Sequence, residues 1–595
     1  MGNTESRQSP VEFTGVVLYK AIVENGAFVA WETFAENVPP SFYNINEDLS
    51  NSSTEWHLEF NGSVEYPDIV VDTKTQFAAA ELKCVFQTAE GDFWALQFPN
   101  ADLFAQFCQQ YNGCLFENTY QTQLNEENVE KVRCMTDTNE TSESNLNRLF
   151  LQELGPFVTS AQGETEESRQ QWVEDMDVDE PEPPESHTKD RLVAEKGSDL
   201  RAIIMGSRER SYLVGDKGIS VMSNTPHGLK DLDVELSFES LSIGGTPSST
   251  GRRRSSFGAR STPSTTMSSC SKGILMDYET KMNLVSPGSS SIYNTDLETG
   301  KLLNEFAFKK DDTDIHVVDI VNDSKSSQME DHSTFLSLGE KTIDRWDTRV
   351  KGGLAQSMAS PITLEYEGGR SYAKNPKFSC IATTGQGYRA VGSHDGKIRL
   401  YNDKVEQIAK TSIPGLGAPI EHIDVTYDGR WVLATTKSFL IVLKTIYKEG
   451  SKELCGFTSR LGAKAPKPRL LMLKAEDIIY TKNAPFEKAK FSWITDNARK
   501  ERYIVASCGR YTVQWNFRAV KVAKPDVITN GLTTVQKYTL IPKSENIVDT
   551  TFMHDTFASR GTTSPLVVLT KQRVYNVDDD DDEEDEGNEA RRLRF

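Results

Sequence analysis

The chain has 595 residues, more than one hydrophobic core usually organises, so two or more domains are expected. It is 37% hydrophobic and 26% charged, a globular average, and a mean hydropathy of -0.50 implies sizeable polar stretches between the folded parts. The formal net charge of -21 argues against nucleic acid as a general partner and against attachment to an anionic membrane by charge alone.

The N-terminal segment 1–10 begins Met1-Gly2-Asn3-Thr4-Glu5-Ser6, which fits the N-myristoylation pattern and makes Gly2 a candidate acylation site. One myristoyl chain anchors only weakly and reversibly, and no polybasic second signal lies nearby. Residues 11–116 read as a small β-rich domain closed by a helix. Strands are expected from Val16, over Phe28 to Phe34, Trp56 to Phe60, Ile69 to Val71, Leu82 to Gln87 and Phe93 to Phe98. Asn100 is a plausible N-cap, and Leu103, Phe104, Phe107, Cys108 and Tyr111 follow at helical spacing. This order resembles the pleckstrin-homology superfold, with its Ran-binding and EVH1 branches; such modules take lipids, peptides or small GTPases. No Lys/Arg cluster lies in the early strands, which disfavours phosphoinositides.

Residues 117–197 read as a linker, with short helices over 125–132 and 146–154 and then an acidic run. Asp175, Asp177 and Asp179 mimic the start of a calcium loop, but Glu180 stands where Gly is required and Ser186 where a bidentate Glu is required. No calcium site is assigned.

From about residue 198 one unit recurs: short apolar strands joined by tight turns. Its clearest copy is Arg389 to Ser393, a turn at Asp395-Gly396, and Lys397 to Tyr401. Seven copies at a spacing of roughly 40 to 70 residues over 198–577 predict a seven-bladed β-propeller, in which ring closure removes exposed sheet edges. The stretch Arg345-Trp346-Asp347-Thr348-Arg349 resembles the blade-ending WD signature, while Tyr401-Asn402-Asp403 and Trp515-Asn516-Phe517 are weaker versions. The fold class expected is therefore mainly β: a WD-type propeller preceded by a pleckstrin-like barrel with a capping helix. Residues 240–272 form a Ser-, Thr- and Pro-rich insertion around Arg252-Arg253-Arg254, where Ser255 and Ser256 are candidate phosphorylation sites. The tail 578–595 opens on an unbroken acidic run that keeps itself extended.

Gly392-Ser393-His394-Asp395-Gly396-Lys397-Ile398-Arg399, Pro414-Gly415-Leu416-Gly417-Ala418-Pro419, Asp428-Gly429-Arg430-Trp431-Val432-Leu433 and Glu501-Arg502-Tyr503-Ile504 resemble the vacuolar import and degradation family, type twenty-seven. The order of parts matches too, and plant members, the defective embryo and meristems proteins, share the Met-Gly start. The resemblance implies a cytoplasmic, sometimes nuclear, non-enzymatic factor and supplies no binding residues.

No catalytic, cofactor or metal residues are assigned. Ser393, His394 and Asp395 adjoin in sequence, but triad members must converge in space, and His394 is read instead as a residue that structures its blade. The eight cysteines contain no CxxC pair and are expected to be free thiols. The expectation is an adaptor that binds proteins through both modules. The rivals are an effector of a small GTPase such as Ran and an enzyme using the propeller channel.

Overall fold

The structure is a computed structural model that describes residues 13–120 and 188–579, each with short breaks, the longest being 239–269 and 360–376. Gly2, Ser255, Ser256, the Asp175–Asp179 run and the expected acidic tail from residue 580 onward lie outside the described residues, as do the two expected linker helices; the first two residues of that tail, Asp578 and Asp579, instead end the strand Arg573–Asp579, so the propeller runs to 579 rather than 577.

The N-terminal module is built from β1 (Val17–Glu24), β2 (Ala27–Glu36), β3 (Pro40–Asn44), β4 (Trp56–Phe60), β5 (Ile69–Val70), β6 (Gln76–Ala78), β7 (Lys83–Gln87), β8 (Phe93–Gln97) and α1 (Ala101–Tyr120). One sheet runs β2-β1-β8-β7-β6 and the other β3-β4-β5. Alternation along the strands sends Val16, Leu18, Leu58, Phe60, Cys84, Phe86 and Leu96 inward. The helix covers the open end: Phe104, Phe107 and Tyr111 join that core, and Asn100 Oδ1 accepts from Leu103 N at 2.9 Å, the expected N-cap. The helix runs four residues past the expected end, to Tyr120. That last turn is latched on β4, where Trp56 Nε1 donates to Glu117 Oε2 at 2.6 Å.

The second module is a closed ring of seven sheets, six of four strands and the fifth extended to six by two strands added at its outer edge. Their innermost strands are Leu200–Ile204, Lys272–Met276, Val317–Asn322, Phe378–Thr383, His422–Val425, Phe486–Phe491 and Ile547–Phe552, and each touches the next around the ring, the seventh meeting the first. Six blades take all four strands from one continuous stretch. The seventh takes its outer strand from β9 (Thr188–Glu195), which pairs antiparallel with Arg573–Asp579. This strand falls within the stretch read above as linker, so the propeller begins at 188 rather than 198. Its own pattern is weak because its side chains are largely solvent-facing. Ion pairs tie it down: Lys543 with Asp190, Arg573 with Glu195, and the neighbouring Lys196 with Asp231.

Two blades interlock. The loop between the last strands of blade 6 reaches back and adds Leu532–Val535 in parallel to the outer strand of blade 5, Arg469–Leu471, which covers an otherwise open edge. Arg469 is buried there and donates to the carbonyls of Val520 and Lys521 at 2.5 and 2.6 Å, satisfying the end of the short helix Phe517–Val522.

The barrel is not a separate bead. Phe93, only 6% exposed, belongs to the same apolar cluster as Leu473, Ile478, Phe486 and Trp515 of blades 5 and 6, with Ala21 and Trp31 packed beside it. Strand β2 lies against the short helix Ala475–Tyr480.

Candidate functional site in the propeller channel

The innermost strands of a propeller point half their side chains at the central axis, so any polar group there reflects chemistry or the cost of closing the ring. Three of them carry an aspartate between β-branched neighbours: Val318-Asp319-Ile320, Ile423-Asp424-Val425 and Val548-Asp549-Thr550. In each, the carboxylate accepts from the next residue's own N–H. Asp319 and Asp424 also reach the following blade, taking Ile381 N at 3.1 Å and Phe491 N at 2.9 Å. A β-bulge precedes Asp319 and Asp549 and helps to aim them.

Each aspartate meets lysine. Lys272 pairs with Asp319, Lys325 Nζ lies 2.9 Å from Asp424, and Lys490 Nζ lies 2.7 Å from Asp549. Lys488 also approaches Asp549, at 3.6 Å. Burial works to raise the Asp549 carboxyl, but Lys488 and Lys490 outweigh it and hold it well below the ordinary carboxylate range. For Asp424 burial is likewise overcome, chiefly by Lys325. His422 is pushed down to about 4, first by burial and then by Lys272 and Lys490; its Nδ1 faces Ala489 O at 3.1 Å, so the neutral ring donates there.

One face of the ring is spanned by a segment bonded to several blades. The segment after Val317–Asn322 crosses beneath it, with the 3-10 turn Ser327–Met329 at its centre. Lys325 N bonds Thr384 O in blade 4, and Gln328 Nε2 reaches Met205 O in blade 1 at 3.4 Å and Glu279 Oε1 in blade 2 at 2.8 Å. Glu279 also accepts from Ser207 N and Oγ, both at 2.6 Å. That concentration of donors holds Asp277, Tyr278 and Glu279 in consecutive left-handed conformations, with φ of 50°, 55° and 65°. Non-glycine residues adopt this region only when the surroundings over-determine it.

At the same face, Glu501 is raised to about 7, by burial first, with Lys325 opposing and Asp428 adding. Its Oε1 accepts from Tyr427 N at 2.8 Å, joining blades 6 and 5.

The Ser393-His394-Asp395 stretch resolves differently. The His394 side chain is exposed, so it does not structure the blade as expected. That role falls to Asp395: Gly396 turns with φ of 74°, Asp395 Oδ1 accepts from Lys397 N at 3.0 Å, and Arg399 Nη2 lies 2.7 Å from Asp395 Oδ2 with the Ser393 hydroxyl between them. Burial raises the Asp395 carboxyl, and Arg399 outweighs it and holds it low. Serine and aspartate are paired by a hairpin, and the imidazole is solvent-exposed. The WD-like stretch is structural as well, with Trp346 Nε1 donating to Ser337 Oγ at 2.7 Å.

Among the described residues, no three His, Cys, Asp or Glu side chains gather as a metal site. No helix there is long and apolar enough to cross a membrane. The aspartates of the innermost strands were missed by motif reasoning, yet an aspartate directly after Val or Ile in a strand was there to be read three times.

Ring closure, blade count and the Trp346–Ser337 bond define a WD40-type β-propeller protein with an appended barrel. Residues 255–578 match the model of the VID27 C-terminal WD40-like domain, more than half of the chain, and the chain belongs to that family. Residues 4–134 match a domain of unknown function, DUF7135. Two relatives are each called vacuolar import and degradation protein 27. The one from Schizosaccharomyces pombe is 36% identical over 243 residues, 39% of this chain and 28% of that protein. The one from Saccharomyces cerevisiae is 31% identical over 238 residues, 39% of this chain and 28% of that protein. The match thus spans little more than a quarter of either relative's length. Among solved structures, the β-propeller domain of Cps50 (Swd1) from Myceliophteria thermophila aligns at a TM-score of 0.42 with 10% identity, over 65% of this chain and 99% of that one; a likeness at that level is too loose to carry detail.

Proposed function

We propose that the protein is a non-catalytic adaptor in vacuolar import and degradation, acting in the cytoplasm and gathering protein partners on one composite surface. The observation that carries this reading is the barrel's docking on blades 5 and 6 through Phe93, which fixes two recognition modules at one spacing. Two weak sites held at fixed distance raise each other's effective concentration without new contacts. The channel fits a scaffold too, because its carboxylates are engaged by lysines and backbone N–H groups rather than aimed at a common point where a substrate could react.

The test is proximity labelling in cells with the full chain and with a Phe93→Asp chain whose barrel is undocked. Sorting and degradation factors should be labelled by the first and reduced with the second. A labelled set without such factors, or one indifferent to the substitution, defeats the reading. Enrichment of a small GTPase in its triphosphate form alone would make the protein a GTPase effector instead.

A further inference from the structure

The end of the barrel away from its helix is lined with aromatic rings. Helix α1 closes the end at Phe98, whose ring centre lies 5.6 Å from that of Phe104 and 4.9 Å from that of Phe107. Trp94, in β8, stands four residues before Phe98, about 13 Å toward the other end. Strand β1 runs out beside it. Leu18 is fully buried, but on the same face Lys20 and then Ile22 emerge, Ile22 to 37% exposure. Strand β2 is bulged here: Leu18 pairs with Ala35 and Tyr19 with Thr33, so Phe34 has no partner on β1. A bulge re-aims the extra side chain. Phe34 stands 44% exposed, edge-on to Trp94 and Tyr66 with ring centres 4.8 and 5.7 Å away.

Two further features belong to this mouth. Trp94 is 6% exposed, yet its indole N–H has no acceptor, and a buried donor left unpaired is costly. The rim is also unevenly charged. The Lys20 ammonium sits 5.2 Å from the centre of the Trp94 ring and faces both Asp92, at 2.7 Å, and its cross-strand partner Glu32. One cation against two carboxylates leaves the rim negative.

We propose that this mouth binds a proline-rich segment of a partner protein, with a basic residue beside the prolines. A polyproline II stretch has no internal hydrogen bonds, so its carbonyls are free to accept from the Trp94 N–H, whereas those of a helix or a paired strand are engaged. Its prolines pack in aromatic-lined grooves, here formed by Phe34, Trp94 and Tyr66. The flanking cation answers Asp92 and Glu32. The chain's own Pro181-Glu182-Pro183-Pro184 has the prolines but the wrong charge, with Glu180 and Glu185 on either side. The assignment takes the barrel as a recognition module of the adaptor, and its failure in vitro would leave the labelling result untouched.

The experiment is fluorescence anisotropy of the full chain with a labelled oligoproline peptide bearing arginine at both ends. Parallel peptides carry glutamate at both ends, or alanine in place of proline. The arginine-flanked oligoproline should bind saturably, about tenfold tighter than the glutamate-flanked one at low ionic strength, the gap closing as salt screens the rim. Phe34→Ser, at an exposed position, should weaken it about tenfold or more. Trp94→Phe keeps a ring and removes the N–H, and should weaken it about twofold to tenfold. Val70→Ser, 44% exposed on the other sheet, should leave binding unchanged. Thermal unfolding without peptide shows that each variant is folded, and Phe34→Ser carries the test if Trp94→Phe is not. No saturable binding, full binding by folded Phe34→Ser or Trp94→Phe, or an alanine peptide that binds as tightly would overturn the assignment. Tighter binding of the glutamate-flanked peptide would overturn it too, in favour of the chain's own 180–185 stretch as occupant.

Discussion

Replacing Asp549 by alanine tests whether the channel charges hold the ring together. Its side chain is 6% exposed and serves Lys490 at 2.7 Å and Lys488 at 3.6 Å. Removing one partner of a buried pair costs about 3–5 kcal/mol, because the other is left uncompensated. An unfolding entropy of about 2.1 cal/mol/K per residue over a unit of roughly 390 residues gives about 0.8 kcal/mol/K. A loss of about 4 kcal/mol therefore lowers Tm by roughly 5 °C, measured by scanning calorimetry or thermal fluorescence at pH 7. Adding Lys490→Met should return part of that loss. The pH dependence has a definite sign. The folded pKa of Asp549 lies below that of the unfolded chain, so its contribution is complete above about pH 4 and disappears as pH falls through the folded value. The gap between the parent chain and Asp549→Asn should thus be flat from neutrality to about pH 5 and narrow in stronger acid. A Tm loss under about 1 °C, or Lys490→Met adding to the damage in full, would refute the reasoning.

Glu501 predicts the opposite slope. Its folded pKa of about 7 exceeds that of an unfolded glutamate, so ionisation costs stability progressively between about pH 4 and 7. Glu501→Gln keeps an acceptor for Tyr427 N and should raise stability at pH 8 by about 2 kcal/mol while flattening that slope; equal Tm values at pH 8 would count against it. Phe93→Ala should loosen the barrel from the propeller at a cost of about 2–3 kcal/mol in docking. Hydrogen exchange should then rise in the helix Ala475–Tyr480 and leave the barrel's own core protected; unchanged exchange in that helix would mean the contact is not energetically coupled.

Much of the fold is legible because its signals are local. Asp395-Gly396 and Asp428-Gly429 mark turns at which Gly396 and Gly429 do adopt positive φ, 74° and 72°, and the strands around them are apolar enough to be counted blade by blade. The barrel helix announces itself through Asn100 and the spacing of Phe104, Phe107 and Tyr111. What escapes local reading is whatever depends on a distant partner. Strand β9 is polar, and only its pairing with Arg573–Asp579 makes it a strand. Phe93 and Trp31 look like ordinary strand residues until the helix of blade 5 is set against them. His394 drew attention by its neighbours, whereas Arg399, four residues from Asp395, is the partner that counts. Asp319, Asp424 and Asp549 stand in apolar strands where charge is expensive. That mismatch was the one long-range feature open to inspection in the sequence.

The seventh blade imposes an order on synthesis. Its outer strand leaves the ribosome first and its inner three last; Glu195 waits for Arg573, 378 positions later. Until then β9 has no partner and the six finished blades stand as an open arc with two raw edges. Closure is slow in principle, since so long a loop must be brought together before any contact rewards it. A chain cut short just before the last hairpin would carry nearly all its blades and still lack a ring, with Lys543 stripped of its Asp190 partner. Quality control acting on such open arcs would distinguish finished from unfinished molecules by a single strand.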